Sequence, residues 1–343
     1  PYVAMGYEMS DDFHERTNIM AVAQFIGQWA WVIAPWFWVI MDDQNFFESS
    51  EIAVRELAIW VGLVCMIFAL IPAIFIKSKS TLNQNYDSIT FKNILKSLHT
   101  IFVINFGQAF KIKAFRKLCV ATFLIFNAFN TVAAFTYFIV VFFLFNGVTG
   151  PDGAWWWPTL FGSVGALVTT FLVIPVVTIL SNKVGKKKAF IISQSISIIG
   201  YIMLWFLFIP GKPYLFLFAL PFFSFGIGGL FTLMMSMTAD VIDLDELNTG
   251  KRREGIFGAI YWWMVKVGFG IAGALSGVII IVVGFNPDLA AVDQQSAVDG
   301  LHAFFCFFPM GGTILAMIVM RNYSITEEKS KEISATLAKR KSE

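Results

Sequence analysis

Apolar residues dominate eight stretches of the chain, each separated from the next by a short polar segment. A helix of about 20 apolar residues crosses the hydrocarbon core of a bilayer, so these stretches predict membrane-spanning helices. They lie near residues 18 to 41, 57 to 76, 118 to 145, 158 to 180, 189 to 209, 214 to 237, 256 to 284 and 301 to 320. Residues 1 to 9 form a further apolar stub that leads directly into polar residues, which predicts the end of a ninth helix. The pattern therefore predicts an all-α, polytopic membrane protein.

Composition and charge agree with this prediction and add an orientation. Hydrophobic residues make up 57% of the chain and charged residues 14%, which is more apolar surface than a water-soluble core would bury. The loops around residues 42 to 50, 146 to 152 and 286 to 299 contain no Lys or Arg, whereas the alternate loops contain most of them. The positive-inside rule assigns the basic loops, and with them both ends of the chain, to the cytoplasm. We expect a multi-pass protein of the plasma (inner) membrane.

One long polar-to-amphipathic interval, residues 78 to 117, divides the chain. Its apolar residues recur at near-helical spacing between lysines, which predicts a cytoplasmic linker that carries an interfacial helix. The linker separates residues 1 to 77 from a predicted bundle of six helices at 118 to 320 and a cytoplasmic tail at 321 to 343. A similar acidic and basic pattern follows a span in each part, so we interpret the parts as repeats with a solute site between them.

The loop from Asp240 to Glu254 carries eight charged residues. Gly250 predicts the end of one helix, and the next helix is expected to begin near residues 251 to 255. The acids then crowd a helix C-terminus and the cations a helix N-terminus, and each such placement costs about 0.3–1 kcal/mol. We expect ion pairs to compensate, within the loop or across to the first part, and pairs that break in one state would form a cytoplasmic gate. A solvated loop without a mechanical role is the alternative. The candidate gate residues are Glu8, Asp11, Glu15, Arg16, Asp240, Asp243, Arg252, Arg253 and Glu254.

Three segments carry a resemblance to a known family. Residues 239 to 255 resemble the signature between the tenth and eleventh helices of the glycoside-pentoside-hexuronide:cation symporters, the melibiose-permease-like branch of the major facilitator superfamily. Residues 1 to 17 resemble the family's signature between helices 4 and 5, and residues 182 to 188 its loop between helices 8 and 9. The resemblance covers the whole chain. It implies twelve helices in two halves, of which we expect eight full helices and a stub here. Residues 1 to 77 would be the end of helix 4 with helices 5 and 6.

The resemblance also implies that a sugar moves together with Na⁺, H⁺ or Li⁺. The carboxylates that bind the cation belong to the family's helices 1, 2 and 4, which we expect to precede this sequence. Lys266 is the only formal charge deep within a predicted span, about 15 Å from the helix start. It matches the family's lysine near the cation and sugar sites, which implies a role in cation coupling or substrate contact. The alternative is a lysine that snorkels to the interface.

Further substrate candidates come from the same comparison and from spacing. Trp262 precedes Lys266 by one turn, and Phe231 matches an aromatic residue that closes over the sugar in the family. Gln24 aligns with an arginine that contacts sugar in melibiose-type members, so this chain departs from their pattern. A polar contact between helices is the alternative for Gln24, and plain packing is the alternative for Trp262 and Phe231. Spacing places Asn127 and Asn130 near one helix face, which indicates either a water-lined interior or hydrogen bonds between helices. The candidate substrate-binding residues are Gln24, Phe231, Trp262, Lys266, Asn127 and Asn130.

The sequence gives no support for an enzyme. No predicted span contains paired His or Cys, paired carboxylates or a nucleophile with a base, and the three histidines are scattered. We therefore predict a secondary transporter that moves a sugar, glycoside or sugar acid with Na⁺ or H⁺ by alternating access. It would need no other cofactor and no metal centre, would bind the bilayer and a small polar solute but no nucleic acid, and would act as a monomer. A Na⁺-coupled lysolipid or other small-solute transporter, and a solute sensor that does not transport, are the alternatives.

Overall fold

A computed structural model describes residues 13 to 42, 46 to 75, 106 to 148, 153 to 154 and 156 to 342. Every regular element in these ranges is a helix. The first are α1 (Phe13–Ile33), α2 (Trp36–Asp42), α3 (Ser50–Phe75) and α4 (Phe106–Lys111). The predicted span near 18 to 41 is thus two helices. Proline disfavours helical geometry at the residue before it and lacks a backbone N–H, so Pro35 accounts for the break.

The later helices pair into longer spans. Helix α5 (Lys113–Ala133) bends by 46° into α6 (Thr136–Phe138), which continues as a π-helical segment, Ile139–Leu144. A second π-helical segment, Thr169–Val173, joins α7 (Trp157–Val168) to α8 (Ile174–Val184). Pro175, the second residue of α8, lacks the N–H of a regular helical bond, which accounts for the irregular turn before it. The remaining helices are α9 (Lys186–Leu207), α10 (Leu220–Thr249), α11 (Glu254–Val283), α12 (Gln295–Arg321) and α13 (Glu327–Ser342), with short 3₁₀ turns at Pro213–Phe218 and Ala291–Gln294.

Six helical segments of the described chain are long and apolar enough to cross a membrane, or seven if the bent pair α5–α6 is one span. The prediction of an all-α polytopic membrane protein is therefore confirmed. The predicted count of eight full helices and a stub is not confirmed, and the stub lies outside the described residues. The helix predicted within the linker also falls there for the most part, between residues 76 and 105. The predicted division of the chain into two bundles, a linker and a tail stays a prediction.

Small residues set the closest helix contacts. A Cβ atom on Gly200 of α9 would lie 2.2 Å from the backbone nitrogen of Phe223 on α10, so only glycine permits this approach. A Cβ atom on Gly312 of α12 would lie 2.5 Å from the Cβ of Ala128 on α5. These contacts hold α9 to α10 and α12 to α5, and α11 packs on the other side of α5. The result is one bundle built from α5 to α12.

Helix α1 joins this bundle from the first part of the chain. Its backbone carbonyl at Val32 accepts a hydrogen bond of 3.0 Å from the Ser163 hydroxyl on α7. At the same interface, about two turns earlier on α1, the rings of Phe25 and Phe171 meet edge to face, with their centroids 5.4 Å apart. Helix α1 also packs against α10. The first part therefore faces α7, α8 and α10, and this contact frames the candidate site.

Candidate functional site

A cavity of about 310 Å³ lies between α1, α5, α7 and α10. A third of its lining residues are aromatic, namely five phenylalanines and one tryptophan. Two of these rings, Phe129 and Phe223, stack with centroids 5.8 Å apart, and Phe126 meets Phe231 edge to face at 5.6 Å. Within the described part of the chain, the wall of the cavity contains no formally charged side chain. The cavity thus offers flat apolar faces and a few neutral polar groups.

The most distinctive polar group in the wall is the amide of Gln28 on α1. The residue is only 6% exposed and lines the cavity. Among the described residues its side chain has no hydrogen-bond partner, so the amide can bond to a ligand in the cavity. A ligand in the cavity can supply both a donor and an acceptor to this amide. Sequence analysis missed Gln28, although it identified Gln24 one turn earlier on the same helix.

Phe231 and Asn130, two of the predicted substrate residues, do line the cavity. The Asn130 Nδ2 donates to the backbone oxygen of Phe126 at 2.7 Å, which leaves its Oδ1 as an acceptor toward the cavity side. Thr169 on the opposite wall donates its hydroxyl proton to the Gly165 carbonyl at 2.8 Å, so its oxygen also remains an acceptor. These fixed acceptors complement a ligand that carries several hydroxyl groups.

Two other predicted substrate residues are engaged in contacts between helices instead. The buried Asn127 Nδ2 donates to the backbone oxygen of Gly268 on α11 at 3.0 Å. This is the helix-to-helix role that its spacing left open. The Gln24 Nε2 lies 3.4 Å from the sulfur of Met235 on α10. Neither residue is part of the cavity wall.

Trp262 and Lys266 lie on α11, beside the cavity rather than in its wall. The Trp262 ring is 6.5 Å from that of Phe231, and its buried Nε1 has no hydrogen-bond partner in the described structure. Lys266 is exposed, and its Nζ lies 5.5 Å from the centroid of Phe269, within cation–π range. Phe269 in turn packs on Phe126 at 4.7 Å. One aromatic ring pair therefore separates the lysine from the cavity.

The charged loop between α10 and α11 is compensated largely by its own cations. Arg252 contacts the carboxylates of three acids: Asp243 at 3.3 Å, Glu246 at 2.7 Å, and Glu254. Arg253 binds both oxygens of Asp245, at 2.8 and 2.6 Å. Burial alone lowers the pKa of Arg252, but the hydrogen bond with Glu246 and the nearby negative charges outweigh it and hold that pKa above its ordinary value. The predicted helix boundary is confirmed, since α10 ends at Thr249 and Gly250 adopts the left-handed conformation.

A second, buried ion pair involves a residue that sequence analysis did not single out. Lys186, the first residue of α9, contacts both oxygens of Asp240 at 2.9 and 2.8 Å, and each side chain is only 3% exposed. The Ser330 hydroxyl of α13 donates to the same carboxylate at 3.3 Å. The Asp240 charge adds to burial in raising the pKa of Tyr323, just beyond α12. Asp240 therefore joins α9, α10 and α13 at this end of the bundle.

The first part of the chain reaches the same region through Thr17. Its hydroxyl oxygen lies 2.8 Å from that of Ser236, one turn before Asp240 on α10. Glu15, one of the predicted gate residues, is exposed on α1. Glu8 and Asp11 lie outside the described residues, as does the side chain of Arg16. Pairing between the two charged segments therefore stays a prediction, while pairing within the later loop is observed.

The described residues contain no group of three or more His, Cys, Asp or Glu side chains placed to hold a metal ion. Cys119 and Cys306 are buried and Cys65 is exposed, all as free thiols.

Comparisons with known proteins agree on one type of protein. The family model described as MFS/sugar transport protein matches residues 1 to 327. A glucuronide carrier protein homolog of Escherichia coli is 28% identical over 175 residues, which is 51% of this chain and 38% of the relative. A putative sulfoquinovose importer of Salmonella typhimurium is 26% identical over 53% of this chain and 37% of the relative. An isoprimeverose transporter of Lactiplantibacillus pentosus is 25% identical over 50% of this chain and 35% of the relative. The chain thus spans less than half the length of each of these relatives.

The fold also has a match among solved structures. The crystal structure of the fucose:proton symporter FucP of Escherichia coli superposes with a TM-score of 0.50 and 14% identity. The match covers 82% of this chain and 58% of that protein. It shows a common helical fold.

Proposed function

The chain belongs to the glycoside-pentoside-hexuronide:cation symporter family of the major facilitator superfamily, and from this premise we propose that it moves an uncharged sugar or glycoside together with a cation. Its relatives are membrane transporters rather than enzymes. The substrate would bind in the cavity between α1, α5, α7 and α10. One observation carries this proposal: the buried amide of Gln28, without a partner in the described structure, lies in the uncharged part of that cavity.

The chemistry of the wall supports a neutral polyol. A pyranose ring has apolar C–H faces and a hydroxyl rim, so its faces would stack on Phe129 and Phe231 while the rim bonds to amides. Gln28 would donate and accept one hydrogen bond each, and Asn130 would accept another. A carboxylate placed against this wall would lose its hydration without gaining a cation, which is costly. The described cavity therefore favours a glycoside over a sugar acid.

A sugar acid is the second candidate, and Lys266 is the observation that favours it. Its exposed ammonium group lies next to the Phe269 ring, beside the cavity. A long side chain at this position reaches a carboxylate if the solute binds closer to α11 than the cavity indicates. The same lysine is our candidate for coupling, because a fixed positive charge at mid-span competes with a bound Na⁺ or H⁺ for the same carboxylates.

Transport would proceed by alternating access, with the charged end of α10 as the gate. Arg252, Arg253 and Lys186 hold the acids of α10 in the state described here, and Thr17 contacts α10 beside them. We take this end as cytoplasmic because the basic loops lie there. In this proposal, separation of α1 from α10 breaks the contact between Thr17 and Ser236 and opens the cavity to the cytoplasm. The ion pairs lie within α9 to α11, so they would hold the end of α10 in place while α1 moves.

The test is uptake by proteoliposomes with an imposed Na⁺ or H⁺ gradient, across a panel that pairs neutral glycosides with the corresponding uronates. The panel should also contain a lysolipid and be run without any gradient. Gradient-driven uptake of neutral glycosides, with a higher KM in Gln28→Leu, is the expected result. Preference for uronates would establish the second candidate, and lysolipid uptake or solute binding without transport would refute the proposal.

A further inference from the structure

A larger cavity, of about 620 Å³, lies at the cytoplasmic end of the bundle and is distinct from the solute cavity. It is bounded by the turn between α8 and α9, the end of α10 and the first turn of α13. We call it the lysine cavity, because lysines are its most frequent residue. They are Lys183, Lys186, Lys187, Lys188 and Lys331.

The lysine cavity carries an excess of positive charge. Its wall contains five lysines and three carboxylates, those of Asp240, Glu327 and Glu328. Asp240 is bound to Lys186 and Glu327 to Lys331, each at 2.8 Å. Lys187 donates to a backbone carbonyl, at Tyr323, rather than to a carboxylate.

Two of the lysines are available to a ligand. Lys183 and Lys188 are exposed, and neither has a hydrogen bond or ion pair within the described structure. They flank Gly185, which lines the cavity and has a φ of 83°. Only glycine adopts this conformation readily, and its lack of a side chain leaves room beside the backbone. Both lysines line the cavity.

The position of these lysines is unfavourable unless an anion is present. Lys186, Lys187 and Lys188 form the first turn of α9, where the helix dipole already contributes positive charge. The chain itself places a carboxylate there, since a Glu327 oxygen lies 3.6 Å from where a Cβ on Gly185 would be. An oxyanion is thus accommodated at this end of α9. The three carboxylates of the wall do not balance its five lysines.

We propose that the lysine cavity binds a phosphate group through Lys183 and Lys188. Two sources share this chemistry: the headgroup of an anionic phospholipid in the cytoplasmic leaflet, and a soluble organic phosphate in the cytoplasm. Basic pockets at the cytoplasmic ends of membrane helices bind anionic headgroups in this way. The binding claim itself does not depend on which solute the protein transports.

Two binding measurements separate the sources. Native mass spectrometry of protein from nanodiscs of phosphatidylcholine with phosphatidylglycerol reports retained anionic lipid. Titration calorimetry of detergent-solubilised protein with inorganic phosphate and with glycerol phosphate reports the soluble source. Each surface lysine contributes about 1 kcal/mol toward an anionic lipid, so Lys183→Gln with Lys188→Gln is expected to weaken binding about thirtyfold.

Matched variants make the result specific. Lys111 and Lys113 are exposed lysines outside the cavity wall, so replacing both by glutamine removes equal charge and should leave binding unchanged. Replacing Lys183 and Lys188 by arginine keeps the charge and should preserve binding. Binding of lipid alone, of soluble phosphate alone, or of both, each lost in the first variant, supports the proposal and names the source. No binding of either, or equal loss in the Lys111 and Lys113 control, overturns it.

Discussion

Replacing Asp240 by leucine removes a carboxylate whose two oxygens lie 2.9 and 2.8 Å from the Lys186 ammonium group. Both side chains are 3% exposed, so the variant keeps a buried positive charge that has lost its carboxylate partner. Removing one partner of a buried ion pair costs about 3–5 kcal/mol. Lys186→Met should cost a similar amount, because it leaves the carboxylate buried.

The double variant, Lys186→Met with Asp240→Leu, should recover most of this loss. Apolar residues of similar volume replace buried ion pairs with little change in stability, and often with a gain. Thermal unfolding in detergent measures the difference, since about 2–4 °C accompanies each kcal/mol in a domain of 150–250 residues. We expect each single variant to lower the midpoint by at least about 6 °C and the double variant to unfold near the wild-type temperature. Asp288→Asn, at an exposed acid in the loop after α11, is the control and should change little.

Uptake by the wild type, the two single variants and the double variant then separates an effect on gating from an effect on stability. If the pair positions the end of α10 for gating, the stable double variant still transports slowly, because the part of α10 that contacts Thr17 has lost the ion pair that fixes it to α9. If the double variant lost as much stability as the two single variants together, the stabilising coupling between Lys186 and Asp240 would be refuted. A stable double variant with wild-type uptake would refute its role in the cycle.

Three further predictions concern the proposed solute cavity, the proposed coupling role of Lys266 and the contact between α9 and α10. Gln28→Ala should raise the KM for a neutral glycoside about two- to twelvefold, the value of one neutral hydrogen bond, whereas Gln24→Ala should not, as substrate titration of initial uptake rates will show. Lys266→Ala should abolish gradient-driven uptake while membrane insertion is retained; full activity would remove its coupling role. Gly200→Ala should destabilise by about 1–3 kcal/mol in thermal unfolding because its Cβ meets the α10 backbone, and Gly277→Ala, with nothing within 4 Å, should not.

The sequence predicted the features that depend on local pattern. Gly250 marked the end of α10 because a helix that ends in the left-handed conformation requires glycine there. Ion pairs were expected within the loop that follows or across to the first part, and Arg252 and Arg253 pair with acids of α10 at short range. Periodicity located most of the spans. It did not show the break at Pro35, because that break is indicated by the proline and not by the spacing of apolar residues.

Features that depend on distant contacts were not predictable in the same way. Gln24 and Gln28 lie one turn apart, and only the packing of α1 on α7 and α10 decides which amide meets the cavity. Lys186 belongs to a basic loop that the sequence revealed, but its partner Asp240 is 54 residues away. Asn127 and Asn130 share a helix face, and the position of α11 determines that one bonds to a helix and the other lines the cavity.

The central claim is that α1 and α10 separate at the cytoplasmic end in every transport cycle. The hydroxyl oxygens of Thr17 and Ser236 lie 2.8 Å apart, so cysteines at both positions come within reach of a disulfide after small rotations. The measurement is gradient-driven uptake by Thr17→Cys with Ser236→Cys, with the exposed Cys65 replaced by serine, before and after oxidation. We predict that oxidation stops uptake and that a reductant restores it. If fully crosslinked protein took up solute as fast as the same protein before oxidation, the account would be contradicted.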